Sequence, residues 1–308
     1  MPGGDLVLIT GGAGTLGRAL APLLTGEGYR VRALDVSPAA ATAPGVDYVT
    51  GDLRDPEVVA RAVAGVDCVV HAAAWHGIHL RDHPATDFWE LNVEGTFRLY
   101  EAAAAAGVTR AVFSSTMGVY GESRRPAEGG DAVRVHEDLP LLPADVYGLS
   151  KVLGEEMARY YHRARGIHGV ALRYGMFVPE PFGHYGIRLL YGGVDERDVA
   201  AAVLASIRCV EAGDSEFQSF NVESALPYTE TDAADLRTDP LAVIGRHWPD
   251  GPDLLGAAGL APWGPVNEWY DIGRARAELG WRPRYNFDQF LEGLRRGAQR
   301  AEDLPQAA

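Results

Sequence analysis

The stretch Leu6–Gly17, Leu-Val-Leu-Ile-Thr-Gly-Gly-Ala-Gly-Thr-Leu-Gly, limits what this chain can become more than any other. A short apolar run rich in β-formers stops at a glycine cluster and passes into the helix-like Leu16–Leu24, the order strand, tight turn, helix start. Glycines at Gly11, Gly14 and Gly17 leave out the Cβ atoms that would hold an anion off the backbone amides. Thr15 and Leu16 open the helix, whose N-terminus favours negative charge. The stretch reads as a pyrophosphate cradle, with Gly-x-x-Gly-x-x-Gly spacing in place of the commoner Gly-x-Gly-x-x-Gly. A glycine trio by itself also fits an ordinary strand-to-helix turn, so the next strand has to decide between the two.

Arg30–Leu34 makes a second strand ending in Asp35, an acidic residue about 20 positions past the glycines, where a ribose diol would be gripped. Asp35 points to NAD, because a 2′-phosphate would meet its carboxylate at close range. Nearby Arg32 keeps NADP open, and a plain turn aspartate before Ser37-Pro38 is the other alternative. Val46–Thr50 reads as a third strand, followed by a turn in which Asp52 and Leu53 could hold an adenine ring. Pro56–Ala64 reads as a helix, and Asp67–His71 as a fourth strand running into Ala72, Ala73 and Ala74, small enough for a flat dinucleotide to lie against. Asp87–Ala106 has helical spacing and stops at Gly107; Arg110–Ser114 and Val170–Arg173 read as further strands. This alternation implies an α/β, Rossmann-like doubly wound parallel sheet with ligands at the carboxyl ends of its strands. We expect residues 1–173 to form the NAD-binding domain and 174–308 a smaller, mainly substrate-binding C-terminal domain. A segment near 195–222, helix Asp195–Glu211 and strand Phe220–Val222, should return to the sheet, and Asp271–Leu279 should be a helix closed by Gly280.

The 308 residues are 47% hydrophobic, enough for a sizeable core, and the net charge of −14 without a lysine-rich run argues against nucleic acid or an anionic membrane as partner. Met1–Asp5 has neither a basic region nor an apolar signal core, and no apolar run reaches membrane-spanning length, so the expected location is the cytoplasm. Cys68 and Cys209 read as core residues rather than a disulfide or metal pair. His76, His79 and His83 could bring two rings onto one helical face, but no carboxylate or cysteine is spaced to complete a metal site. They fit a loop lining a substrate cleft or plain surface histidines, and no metal is assigned.

Lys151 is the one lysine in the chain, every other basic side chain being arginine or histidine. It falls four residues after Tyr147, within a helix that starts near Ala144-Asp145, so phenol and ammonium share a helical face. That arrangement suits proton abstraction. A tyrosine must lose about three pKa units, roughly 4 kcal/mol, to act as a base near neutral pH, and an adjacent cation together with a positively charged nicotinamide can supply such a shift. An exposed helical Tyr–Lys pair is the plain alternative. Ser114-Ser115-Thr116 ends the fifth strand, where a hydroxyl could hold a substrate oxygen, or simply form a polar turn.

Together these residues resemble the extended short-chain dehydrogenase/reductase family, in its NAD-dependent epimerase/dehydratase branch, over nearly the whole chain. The likeness rests on Thr10–Gly17, Asp35, Asp52-Leu53, Ser115–Gly121, Tyr147 with Lys151, Asp195–Val199, Phe220-Asn221-Val222 and Leu279–Pro283. It implies hydride transfer at a secondary hydroxyl of a sugar or sugar-like substrate. In that scheme Tyr147 takes the proton, Thr116 steadies the oxygen, and Lys151 lowers the tyrosine pKa while holding the cofactor ribose. Met117-Gly118 follow Thr116 where sugar-nucleotide dehydratases carry Asp-Glu, which argues against elimination chemistry. The short connection Phe177–Val194 is similar to that of uronate dehydrogenases and implies a compact acidic sugar, with Arg188 on its carboxylate and Ser115, Thr116 and His76 around it. Thr116-Met117 departs from the Asn-His those enzymes carry. A nucleotide-sugar epimerase with tightly bound NAD, or a non-catalytic NAD-binding regulatory protein, are the competing functions, and a homodimer is the expected assembly.

Overall fold

The computed structural model describes residues 4–38, 45–211 and 216–307. Strands β1 (Leu6–Thr10), β2 (Arg30–Asp35), β3 (Asp47–Thr50), β4 (Cys68–His71) and β5 (Arg110–Thr116) come first. They are followed by β6 (Val133–Val135), β7 (His168–Tyr174), β8 (Gln218–Val222) and β9 (Glu268–Tyr270). Seven of them form one parallel sheet in the order β3-β2-β1-β4-β5-β7-β8, while β6 and β9 pair as a separate ribbon. The chain winds outward from β1 to β3 and then returns across β1 to β4, so the sheet order reverses between β1 and β4. A crevice opens at such a reversal, at the carboxyl ends of the strands. The expected Rossmann-like sheet is the one observed.

Helices α1 (Thr15–Gly26), α2 (Pro56–Val63), α3 (Ala85–Phe88), α4 (Thr96–Ala105) and α5 (Val146–Arg165) lie in the first half. The second half carries α6 (Phe182–Arg188), α7 (Glu196–Glu211), α8 (Ala233–Thr238), α9 (Pro240–His247), α10 (Gly251–Ala257), α11 (Gly273–Glu278) and α12 (Phe287–Arg295). Side chains alternate along each strand, so a sheet buried on both sides needs apolar residues at nearly every position. Val7, Ile9, Val70, Val112 and Leu172 accordingly pack on one face with residues of α1 and α7. Leu8, Val69, Ala111, Phe113 and Ala171 pack on the other, with α2, α4 and α5. A third cluster, including Leu190, Leu236, Ile244, Trp248, Phe287 and Phe290, gives the C-terminal helices a core of their own. A small fourth cluster of Val119, Tyr120, Val135 and Tyr270 joins the ribbon to the end of β5.

The single helix predicted over Asp87–Ala106 is broken. A π-helical stretch, Trp89–Gly95, lies between α3 and α4. It turns Asn92 inward, where the side chain is 3% exposed and fully engaged in hydrogen bonds. The helix predicted from Asp271 starts only at Gly273, because β9 claims the residues before it and the Asp271 carboxylate accepts from the Gly273 amide.

Candidate active site

At the β1–α1 turn, Gly11 has φ +73°, and a Cβ there would come within 2.9 Å of the Ala73 amide nitrogen. A Cβ on Gly17 would overlap the Gly12 carbonyl. Gly14, which has no side chain to cap with, is the N-cap of α1, and no acidic residue in the first turn competes for the free amides. The Leu16 side chain is buried in the core, so it can offer a ligand only its backbone, while Thr15 is half-buried on the first turn.

The Asp35 carboxylate accepts from the Ala13 amide at 2.9 Å and the Ser37 amide at 2.8 Å, one bond per oxygen. Each oxygen keeps a lone pair for a diol hydroxyl. Arg32, the cation that would welcome a 2′-phosphate, is committed to Asp47 at 2.6 Å and to the carbonyls of Ala62 and Ala64. Both Asp52 oxygens are held by Arg54, which keeps that carboxyl below its usual range, and the Leu53 side chain is buried beneath Gly95. The amides of Ala72 and Ala73 donate to Thr10 Oγ1, which bonds His71 Nδ1 at 2.7 Å, and His71 Nε2 bonds Thr96 Oγ1 at 2.8 Å. Burial, helped by the charge of Lys151, pulls His71 down to about 3, so it stays neutral and holds β1 to the Ala72–Ala74 loop.

The catalytic candidates converge at the carboxyl end of β5. Asp145 caps α5 through the Gly148 amide at 2.7 Å, which starts the helix at the right place for Tyr147 and Lys151 to face the sheet. Lys151 Nζ donates to the Ser114 carbonyl at 2.8 Å and lies 6.0 Å from the Tyr147 ring centroid. Burial pushes Lys151 down to about 7, with the Glu155 carboxylate acting against it. Burial also pushes Tyr147 up to about 12, and the Thr116 hydroxyl beside it pulls the other way. Thr116 Oγ1 accepts from the Gly118 amide at 3.1 Å. The His76 ring lies parallel to that of Tyr147, with centroids 6.1 Å apart, and remains exposed at the edge of the site. His83 is stacked on Trp75 and bonded to Asp87, while His79 Nδ1 accepts from the His76 amide.

Two expected substrate contacts are corrected. Ser115 points to the face of β5 opposite Thr116, where it donates to Glu155 at 2.5 Å and is 2% exposed. Arg188 does not offer a free fork, because its Nε and Nη2 both bond Glu180, at 3.2 and 2.8 Å, and its guanidinium lies 4.4 Å from the Trp263 ring.

Sequence reasoning missed Asn92, which bonds the Trp75 amide and carbonyl and Ser150 Oγ, so the loop carrying His76 is tied to α5 beside Tyr147. It also missed Glu155, four residues after Lys151 on the same helical face, which forms a buried pair with Arg173 at 2.8 Å. The i, i+4 spacing is a readable signal for Glu155; nothing marks Asn92 within a helical pattern.

The glycine turn and the Asp35 carboxylate fit a dinucleotide, since the missing Cβ atoms let the turn close tightly against Ala73 and Gly12 with its amides left to face an anion. The sequence matches the NAD dependent epimerase/dehydratase family over residues 7–214. Uronate dehydrogenase from Pseudomonas putida is 35% identical over 179 residues, 57% of this chain and 62% of that protein. UDP-glucose 4-epimerase from Streptomyces lividans is 33% identical over 173 residues, 54% of this chain and 50% of that protein. The matched stretch thus spans less than two thirds of either relative. A short-chain dehydrogenase/reductase superfamily protein from Agrobacterium tumefaciens, solved with bound NAD, superposes with a TM-score of 0.71 at 26% identity, over 95% of this chain and 98% of that one. The cradle, Asp35, Thr116, Tyr147 and Lys151 all lie inside residues 7–214, so the match takes in these candidate site residues, and the chain belongs to the NAD dependent epimerase/dehydratase family.

Proposed function

We propose that this chain is a net dehydrogenase that uses NAD to oxidise a secondary hydroxyl of a compact, sugar-like substrate. The observation that carries the reading is Tyr147 set beside Thr116 and Lys151 at the carboxyl end of β5, in the same sheet rim as the cradle. When bound, NAD supplies the hydride acceptor. Thr116 holds the substrate oxygen, Tyr147 takes its proton, and the Lys151 ammonium favours the phenolate. Burial, with Asp145 adding and Thr116 opposing, leaves Tyr147 at about 12, so a positive charge beside the phenol is what the step needs.

The connection between β7 and α7 supports a compact substrate. It is filled by α6 and by Leu189 and Leu190, which are buried in the C-terminal core, leaving little chain to enclose a nucleotide. The likeness to uronate dehydrogenase favours net oxidation over epimerisation. Within this reading, residues 1–173 bind NAD and 174–308 mainly shape the substrate side, while α7 and β8 serve the sheet. The chain acts in the cytoplasm as a homodimer and binds no nucleic acid. Half-exposed Trp89, Phe97, Leu149 and Tyr160 along one flank support self-association, and the net charge of −14 argues against nucleic acid. No helix among the described residues is long and apolar enough to cross a membrane.

The test is NADH formation with free aldoses, uronates and UDP-sugars, alongside assay of nucleotide released on denaturing the purified protein. NADH beyond the enzyme concentration with a free sugar supports the proposal. Interconversion of UDP-sugars with co-purifying NAD and no NADH would replace it by the epimerase reading. NAD binding without turnover of any sugar would leave the regulatory one.

A further inference from the structure

The register of the sheet sets Thr116 beside Tyr174 and Tyr174 beside Val222. The next residue along each strand, Met117, Gly175 and Glu223, therefore lies at the same rim, one step beyond Thr116. Glu223 is 1% exposed, and neither carboxyl oxygen has a hydrogen-bond partner among the described residues. The backbone makes room for this carboxyl, since a Cβ on Gly175 would overlap it. Gly192 supplies a second gap, where a Cβ would come within 3.2 Å of Met117 Sδ and 3.0 Å of the Tyr270 ring. A buried carboxyl without a partner is destabilising, and such groups collect where a ligand completes them.

Arg124 stands close by. Its Nη1 donates to Glu268 at 2.7 Å and to the Tyr270 hydroxyl at 3.1 Å, and its Nε and Nη2 edge is unpartnered among the described residues. Burial pushes Glu223 well above the ordinary carboxyl range, with Arg124 opposing and Glu268 adding to the shift. Arg124 is already paired with Glu268, so it offers the subsite no unshared positive charge. Tyr270 donates to Met117 Sδ at 3.4 Å, a weak bond because a thioether is a poor acceptor.

We propose that Glu223 and the free edge of Arg124 determine specificity by binding an uncharged hydroxyl of the sugar, at the end away from the reacting carbon. The hydroxyl oxygen accepts from Arg124 and its hydrogen is donated to the Glu223 carboxyl. An anionic group would find Arg124 shared with Glu268, and an ammonium would face Arg124. This inference rests on the sugar-oxidising reading and narrows its substrate class to neutral sugars, away from the uronates.

The test titrates NAD-loaded protein with D-glucose, D-galactose and L-arabinose, then with D-glucuronate, D-galacturonate and D-glucosamine, and repeats the series for Glu223→Met, Glu223→Gln and Arg124→Met. A neutral aldose should bind about tenfold or more tighter than the charged sugars. Glu223→Met should lose about tenfold in aldose affinity, with the loss in turnover falling on KM rather than kcat, and its thermal midpoint should not fall. Glu223→Gln, which keeps a donor and an acceptor, should recover part of that affinity. Arg124→Met repeats the test from the exposed side if the Glu223 variants do not fold. Tighter binding of a uronate, no binding of any aldose, or unchanged aldose affinity in Glu223→Met or Arg124→Met would each overturn the subsite. An aldose that binds as expected but yields no NADH would instead overturn only the oxidation.

Discussion

Tyr147 and Lys151 illustrate how much a single position depends on burial. Both are driven toward their neutral forms, the phenol upward to about 12 and the ammonium downward to about 7. Tyr147→Phe keeps the ring and removes the proton acceptor, so kcat should fall about 10²–10⁴-fold while NAD affinity, followed by fluorescence titration, changes little. Lys151 also carries a stability penalty. Its pKa is lower in the folded chain than in the unfolded one, so between about 7 and the usual lysine value near 10.5 the unfolded chain holds more protons, and stability rises with pH across that window. Lys151→Met should thus abolish turnover yet raise unfolding stability at pH 7 by about 1–3 kcal/mol, a gain that shrinks as pH approaches 10.5 in urea melts. Asp35 acts through geometry instead. Asp35→Ala should weaken NAD about tenfold and raise relative use of NADP, measured by comparing kcat/KM for the two, because in the proposed role the carboxylate binds a diol and repels a phosphate.

Element packing decides whether these side chains reach one another. Gly154, three residues after Lys151, lets α5 ride directly on β5, since a Cβ there would overlap the Phe113 ring. That closeness is what brings Lys151 Nζ to the Ser114 carbonyl. Alanine improves helix propensity by about 1 kcal/mol. Gly154→Ala should nevertheless destabilise the protein by about 1–3 kcal/mol and lower kcat, because α5 must lift off the sheet and carry Tyr147 and Lys151 with it. The check is denaturant melting together with turnover. The π-helical stretch Trp89–Gly95 works in the same way, using a widened turn to aim Asn92 at Trp75 and Ser150.

Across the whole molecule, Glu155 and Arg173 tie α5 to β5, β7 and β8 through Ser115, Ser219 and Tyr120. With side chains 0% and 4% exposed, the pair is fully desolvated. Removing the partner's charge by Glu155→Gln leaves Arg173 buried and unpaired and should cost about 3–5 kcal/mol in urea unfolding. What the sequence determined by itself is local in origin: the β1–α1 glycine turn, Asp35 at the end of β2, the strand and helix alternation, and the Tyr147–Lys151 spacing each arise from a few neighbouring residues. What only the tertiary structure decided depends on partners far along the chain. Ser115 stands in sequence beside Thr116 as if to face a substrate, but it lies on the opposite face of the strand and meets Glu155, 40 residues later. Arg188 is a free fork only until folding sets Glu180 and Trp263 against it. Glu223, silent in sequence, becomes unpartnered only when β7 and β8 align at the rim beside Met117, because burial removes water and no described residue supplies a replacement.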